Sequence, residues 1–166
     1  NGSLNFCCAP DLFRYCNGNC DITSIFNNCG PQWPYYNESG LRGRIPDILL
    51  LPFKNFKKDL SNMFNSCSSL TRVSKSSSSS DVYVIPPHFF EYAPNITSLN
   101  GTFENTYVYP NQVFTAFNYI SNNTLGNISR VFAMVKAPES TSANPVVFNS
   151  VFQKFTNLTD INSAFV

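Results

Sequence analysis

The stretch LSNMFNSCSSL, residues 60–70, places a leucine and a phenylalanine four positions apart and follows them with Asn, Ser and Cys. The same motif, Leu or Ile, three residues and then Phe, recurs along the chain as ITSIF (22–26), LSNMF (60–64), LNGTF (99–103), ISRVF (128–132) and INSAF (161–165). Successive motif phenylalanines are 38, 39, 29 and 33 residues apart. Periods of roughly 20–50 residues are typical of stacked supersecondary units. We therefore predict units that bury their Leu and Phe side chains only against neighbouring units.

The 166-residue chain is long enough for one hydrophobic core, and we predict a single repeat domain. A proline followed by apolar residues precedes each motif, which favours a short helix or turn before a short strand. The predicted units cover residues 9–29, 45–73, 85–106, 109–135 and 144–166, with loops at 30–44, 74–81 and 136–144. Asn28 and Asn105, just beyond their motifs, are expected to hydrogen-bond free backbone groups.

Three stretches resemble a known family: LSNMFNSCSSLTRV (60–73), FFEYAPNITSLNGTF (89–103) and VFQKFTNLTDINSAF (151–165). They are similar to the BspA-type leucine-rich repeats of microbial and protist surface proteins, whose signature is Met-Phe, a small residue or Cys, and then Leu-Thr. The resemblance implies an irregular α/β repeat fold, a leucine-rich-repeat-like solenoid of about five units with one β-strand per unit. It also implies surface display and adhesion rather than catalysis.

The composition excludes some classes of partner. Charged residues make up 13% of the chain and the formal net charge is +1, so there is no electrostatic case for nucleic acid. No apolar run approaches the roughly 18 residues of a membrane span. Because the chain starts without Met or a secretory signal, we interpret it as a mature or excised segment of a longer product.

Glycosylation sequons point to a secreted or cell-surface protein. The pattern Asn-x-Ser/Thr marks acceptors of N-linked glycans in secreted proteins. It occurs at Asn1, Asn37, Asn95, Asn100, Asn122, Asn127 and Asn157. We predict N-linked glycans as the covalent partners of this chain.

The even number of cysteines favours disulfides in an oxidising compartment. The cysteines are Cys7, Cys8, Cys16, Cys20, Cys29 and Cys67. Cys29 and Cys67 each follow a motif Phe by three residues. Equivalent positions in stacked strands are roughly 5 Å apart, which suits a disulfide, so we predict a Cys29–Cys67 bond.

The four remaining cysteines are expected to pair among themselves, Cys7 and Cys8 with Cys16 and Cys20, in an order that the sequence leaves open. A zinc site on the same four cysteines is the alternative. Structural zinc sites usually have cysteine pairs two to four residues apart, whereas here Cys7 and Cys8 are adjacent and only Cys16 and Cys20 have such a spacing. We therefore predict no metal and no cofactor.

Motifs for catalysis are absent from the sequence. His88 is the single histidine, and neither a G-x-S-x-G nucleophile motif nor a phosphate-binding glycine loop occurs. We predict no catalytic residue, although ten carboxylates would permit a glycosidase pair. In loop 30–44, three aromatic residues either stack on a sugar or partner protein or anchor their own loop: Trp33, Tyr35 and Tyr36.

We therefore predict a secreted, N-glycosylated, non-enzymatic structural or adhesive module. The alternative is a carbohydrate-binding or carbohydrate-cleaving solenoid domain. The stretches LNFCCAP (4–10) and DINSAFV (160–166) are largely apolar, and the second includes Phe165 and Val166. An uncapped repeat exposes apolar surface and open strand edges. We thus expect head-to-tail self-association in a fibre or surface array, or neighbouring repeats of a longer chain.

Overall fold

Regular elements in the computed structural model are short. The structure describes residues 6–30, 41, 43–68, 70, 85–106, 115–134 and 150–164. It has 3₁₀ helices at Leu51–Phe53, Phe89–Tyr92 and Ser150–Lys154, an α-helical turn at 115–117, and strands β1 (Lys58–Asp59) and β2 (Ile96–Ser98). Among these residues, no helix combines the length and apolar character that crossing a membrane requires.

Parallel pairing runs from β1 across three further segments. Strand β1 pairs with β2, where Asp59 is opposite Ser98. Single parallel bridges continue from Ser98 to Asn127 and from Asn127 to Asp160. The paired positions immediately precede four of the L/I-x-x-x-F motifs, so these motifs lie side by side in chain order. Strands are formed in two segments, while the others contribute single bridges.

The motifs extend this ladder as hydrogen-bonded turns. The Leu60 amide donates to the Ser98 carbonyl at 3.0 Å and the Asn62 amide to the Asn100 carbonyl at 2.8 Å. The Met63 amide instead donates within its own motif, to the Leu60 carbonyl at 3.0 Å. The same alternation occurs at every junction between successive motifs. One set of amides thus joins neighbouring segments, and the other set closes local turns.

The backbone of the first four motifs has positive φ at two fixed positions, the second residue after Leu or Ile and the second after Phe, and the fifth motif has it at the first of these. Positive φ is uncommon for residues other than glycine, yet here it occurs at Ser24, Asn28, Asn62, Ser66, Asn105, Arg130, Met134 and Ser163, with Gly101 at the equivalent position of the third motif. Consecutive turns, rather than extended strands, therefore form most of the ladder.

The motif phenylalanines form one column behind the ladder. Ring centroids of Phe26 and Phe64 are 5.3 Å apart, those of Phe64 and Phe103 6.0 Å, and those of Phe103 and Phe132 6.2 Å. Their interplanar angles are 16°, 5° and 9°, so the rings are stacked. Phe64 and Phe103 are each stacked between the motif rings of the unit before and the unit after.

Further aromatic contacts come from the segments that follow the prolines. Phe13 contacts Phe53 with centroids 5.7 Å apart, and Phe90 contacts Phe117 edge-on at 5.5 Å. Phe117 also contacts Phe132 of the column at 5.9 Å. The core therefore lies between the turn ladder and the helical segments, and it extends across all five units.

Candidate interaction surface

A polar side chain caps each motif from the position directly before Leu or Ile. Its oxygen accepts the amide hydrogen two residues later, as in an Asx turn, and so starts the run of turns. The acceptor–donor pairs are Asp21–Thr23 (2.9 Å), Asp59–Ser61 (2.7 Å), Ser98–Asn100 (3.2 Å), Asn127–Ser129 (2.8 Å) and Asp160–Asn162 (3.1 Å). This cap was not predicted from the sequence, although an Asp, Ser or Asn stands directly before every motif.

The cap at Asp21 is also an electrostatic contact. The amide and hydroxyl of Thr23 donate to Asp21 Oδ1 at 2.9 and 2.8 Å. These two bonds, the amide first, lower the pKa of the Asp21 carboxyl. Because the folded-state pKa is depressed, the contribution to stability is present above the unfolded pKa and is lost as pH falls through the folded pKa.

Polar side chains on the ladder surface are joined across motifs. Glu104, which is buried, accepts from Asn65 Nδ2 at 2.9 Å and forms an ion pair with Arg130. This contact links the second, third and fourth motifs.

Exposed His88 has its Nδ1 2.9 Å from Glu91 Oε2. Among the described residues, no three His, Cys, Asp or Glu side chains are grouped to hold a metal ion.

The first and last motifs have a hydrogen-bonded neighbour on one side. Every junction has one polarity: amides of the earlier motif donate to carbonyls of the later one. Within the described ranges, the carbonyls of Thr23 and Ile25 accept no bond, and the amides of Ile161 and Ser163 donate none. The first motif therefore presents acceptors and the last presents donors. Ile25 and Ile161 are 44% and 61% exposed at these two edges.

Cys29 and Cys67 lie on neighbouring segments. The buried Cys67 thiol donates to the Phe26 carbonyl at 2.9 Å. Burial, reinforced by nearby Cys29, raises the pKa of Cys67 to about 12. All six cysteines are free thiols in the structure. The Cys29–Cys67 disulfide stays a prediction, and both partners occupy the equivalent place in their motifs.

The other four cysteines lie in two sequence-local pairs. Cys7 Sγ is 3.8 Å from Cys8 Sγ, and this contact raises the pKa of Cys7. Cys20 Sγ is 3.4 Å from the amide nitrogen of Asn17, next to Cys16, and the interaction with Cys20 raises the pKa of Cys16. The structure thus brings Cys16 beside Cys20 and Cys7 beside Cys8. The expected cross-pairing between these two sets stays a prediction.

Three of the predicted glycan acceptors lie at one corner of the fold, where the chain enters the ladder. The hydroxyl of Ser121 donates to Asn95 Oδ1 at 3.2 Å, and the Thr156 amide donates to the Asn122 carbonyl at 2.9 Å. Asn122 and Asn157 are exposed and Asn95 is half-buried. Successive units therefore present Asn95, Asn122 and Asn157 along the same edge.

Two further acceptors, Asn100 and Asn127, lie within the ladder and are half-buried. Asn127 Oδ1 is already occupied as the cap of the fourth motif. The remaining predicted site residues lie outside the described residues: Asn1, Trp33, Tyr35, Tyr36, Asn37, Phe165 and Val166.

A cavity of 390 Å³ lies between residues 10–16 and 48–52. Its lining is largely apolar and includes Phe13, Ile48 and Leu51, with Asp11 and Arg14 as its charged members. This cavity was not predicted from the sequence, because the two segments that form it are distant in the chain.

Comparison of the chain with protein-family models, curated proteins and solved structures gave no match. Function is therefore inferred from the residues and their geometry.

Proposed function

We propose that the chain is a secreted, N-glycosylated, non-enzymatic structural or adhesive module, an irregular leucine-rich-repeat-like solenoid of the BspA type. The observation that carries the proposal is the run of amide-to-carbonyl bonds that joins the motifs in one direction across every junction. Stacked repeats provide long surfaces that suit recognition and assembly. The polar side chains on this surface are carboxylates, amides and hydroxyls, engaged in caps and in contacts between motifs.

The secretory part of the proposal predicts glycans on the exposed corner. We expect Asn122 and Asn157 to carry N-linked glycans when the chain is produced with a secretion leader in eukaryotic cells. The measurement is intact mass before and after enzymatic glycan removal, followed by peptide mapping. Replacing Asn122 with Gln is expected to remove the mass of one glycan.

Asn123 provides the matched control, because it is also exposed but its sequence Asn-Thr-Leu is not an acceptor. Asn123→Gln keeps the Asn122 sequon and is expected to leave the glycan mass unchanged. Unmodified Asn122 and Asn157 in secreted material would contradict this part of the proposal.

The structural part of the proposal has a second copy of this chain as its partner. The last motif presents amide donors at Ile161 and Ser163, and the first presents carbonyl acceptors at Thr23 and Ile25. The two edge donors are two residues apart, and so are the two edge acceptors. Donors and acceptors have the same spacing at every internal junction. A head-to-tail contact of this kind is heterologous and propagates unless it closes into a ring.

Light scattering across a concentration series tests this contact. The 166-residue chain is expected to form species larger than a monomer. Ile161→Asp, at the donor edge, is expected to shift the distribution toward monomer, because it places a charge in the contact. Ile48→Asp is the matched control, since Ile48 is 40% exposed but lies away from the ladder edges. A monomer of the unmodified chain at high concentration would rule the contact out.

A further inference from the structure

The turn between Cys16 and Cys20 is held by its own hydrogen bonds. The Cys20 amide donates to the Asn17 carbonyl at 3.1 Å, and the Asn19 amide donates to Asn17 Oδ1 at 2.9 Å. The Asn17 amide points at Cys20 Sγ, 3.4 Å away. These bonds fold the chain back on itself, so the Cys20 sulfur lies beside the peptide bond that joins Cys16 to Asn17.

Neighbouring side chains fix the same turn from outside. Lys58 Nζ, which is buried, donates to the carbonyls of Gly18 and Cys20 at 2.8 and 2.5 Å. On Gly18, a Cβ atom would lie 2.1 Å from Phe56 Cδ1, so the turn and the Phe56 ring are in close contact. The relative position of Cys16 and Cys20 is therefore determined by the folded core rather than by a free loop.

We propose that Cys16 and Cys20 form a disulfide with each other and so close the turn 16–20. This inference rests on the proposed secretion of the chain into an oxidising compartment. Cys7 Sγ is 3.8 Å from Cys8 Sγ, whereas Cys20 Sγ is 3.4 Å from the amide nitrogen of Asn17, the residue that follows Cys16. The pairing replaces the cross-link to Cys7 and Cys8 that was expected from the sequence.

The chemistry is thiol–disulfide exchange with a small-molecule disulfide such as oxidised glutathione. The Cys20 thiolate attacks one sulfur of the oxidant, forms a mixed disulfide and releases one glutathione thiolate. The Cys16 thiolate then attacks Cys20 Sγ, forms the Cys16–Cys20 bond and releases the second glutathione. Two thiol protons leave Cys16 and Cys20, and the two electrons reduce the oxidant to two thiols.

The surroundings assign Cys20 the first attack. The Asn17 amide, the contact with Cys16 and the nearby Lys58 ammonium all lower the pKa of Cys20. The pKa of Cys16 is raised by its contact with Cys20. The thiolate is the nucleophile in exchange, so Cys20 is the better attacking group and Cys16 the resolving one.

Peptide mapping without reduction tests the pairing directly. Cleavage before aspartate releases residues 11–20, DLFRYCNGNC, with Cys16 and Cys20 as its two cysteines. In secreted protein, or in reduced protein reoxidised with glutathione disulfide, this peptide is expected two hydrogen masses below its reduced mass. It is expected to take no iodoacetamide label before reduction and two labels afterwards.

Two variants sharpen the result. Cys16→Ser is expected to leave Cys20 open to labelling, whereas the control Cys8→Ser leaves peptide 11–20 oxidised and unlabelled. A peptide 11–20 joined to peptide 1–10, which holds Cys7 and Cys8, would overturn the inference. So would two labels on peptide 11–20 in folded, glycosylated protein, a result that leaves the proposed secretion intact.

Discussion

Replacing Phe64 with Ala is expected to lower the free energy of unfolding by about 3–5 kcal/mol, the range for a buried Phe truncated to Ala. Phe64 is fully buried between the rings of Phe26 and Phe103, whose centroids are 5.3 and 6.0 Å away. The hydrogen-bonded ladder holds neighbouring motifs in register, so the two flanking rings have little freedom to move into the space. The loss therefore includes both the buried area and an open cavity.

Tyr15→Ala is the matched control, because Tyr15 is also aromatic but 91% exposed. Its replacement is expected to change stability by no more than about 0.5 kcal/mol, as is usual for surface positions. Denaturant unfolding, followed by circular dichroism and tyrosine fluorescence with the slope compared between variants, measures both changes. Equal effects of the two substitutions would show that the Phe64 column does not hold the units together.

Lys58→Met is expected to lower the free energy of unfolding by about 2–4 kcal/mol, because two charge-assisted hydrogen bonds are lost and their acceptors are left unpaired. The acceptors are the carbonyls of Gly18 and Cys20, in the unit before Lys58. The ammonium also lies 4.7 Å from the centre of the Phe53 ring, a favourable cation–π contact. Methionine keeps the apolar stem of this side chain and removes its charge.

Lys54→Met separates this effect from a general loss of positive charge, because Lys54 is exposed and four residues away. Unfolding is measured with all cysteines reduced, so that a disulfide at 16–20 does not replace the Lys58 contact. We expect Lys54→Met to be close to neutral. If the two lysine variants unfold alike, the Lys58 contact contributes nothing beyond its charge.

Lys154 forms the same contact in the last unit. Its Nζ donates to the carbonyls of Asn118 and Ile120, both at 2.8 Å, and lies 4.9 Å from the Phe155 ring centre. Partial burial lowers the pKa of this lysine. In two units, a lysine therefore donates to two backbone carbonyls of a turn in the preceding unit.

The spacing of the motifs was enough to identify the residues of the aromatic column, because stacking requires one ring per period. Lys58 and its acceptors were beyond such reasoning, since they lie about 40 residues apart and belong to no local pattern. The contact between Cys16 and Cys20 was missed for a related reason. Cysteine pairing depends on how the turn is held, and Lys58 and Phe56 hold it from another unit.

The backbone of the motifs was the least predictable part. Asn28 and Asn105 both have positive φ. Asn105 Nδ2 donates to the Ser66 hydroxyl at 3.4 Å rather than to a backbone group, and the expected backbone contact of the Asn28 side chain stays a prediction. A strand is predicted from side chains that alternate between two faces. In these motifs the backbone amides alternate instead, one donating to the next motif and another donating back within its own motif. Asn, Ser or Gly at the second position after Leu, Ile or Phe carried that information in the first three motifs, whereas Arg130 and Met134 occupy these positions in the fourth.

The cap before each motif also links turn formation to glycan acceptors. Its oxygen comes from Asp, Ser or Asn, and the residue two positions later is often Ser or Thr. An Asn cap followed by such a residue is a sequon, as at Asn127 and Ser129. Asp21→Asn or Asp59→Asn would keep the cap and create a new sequon in one step. A lineage of such repeats can therefore gain or lose sugar coating by single-codon changes that leave the turn intact.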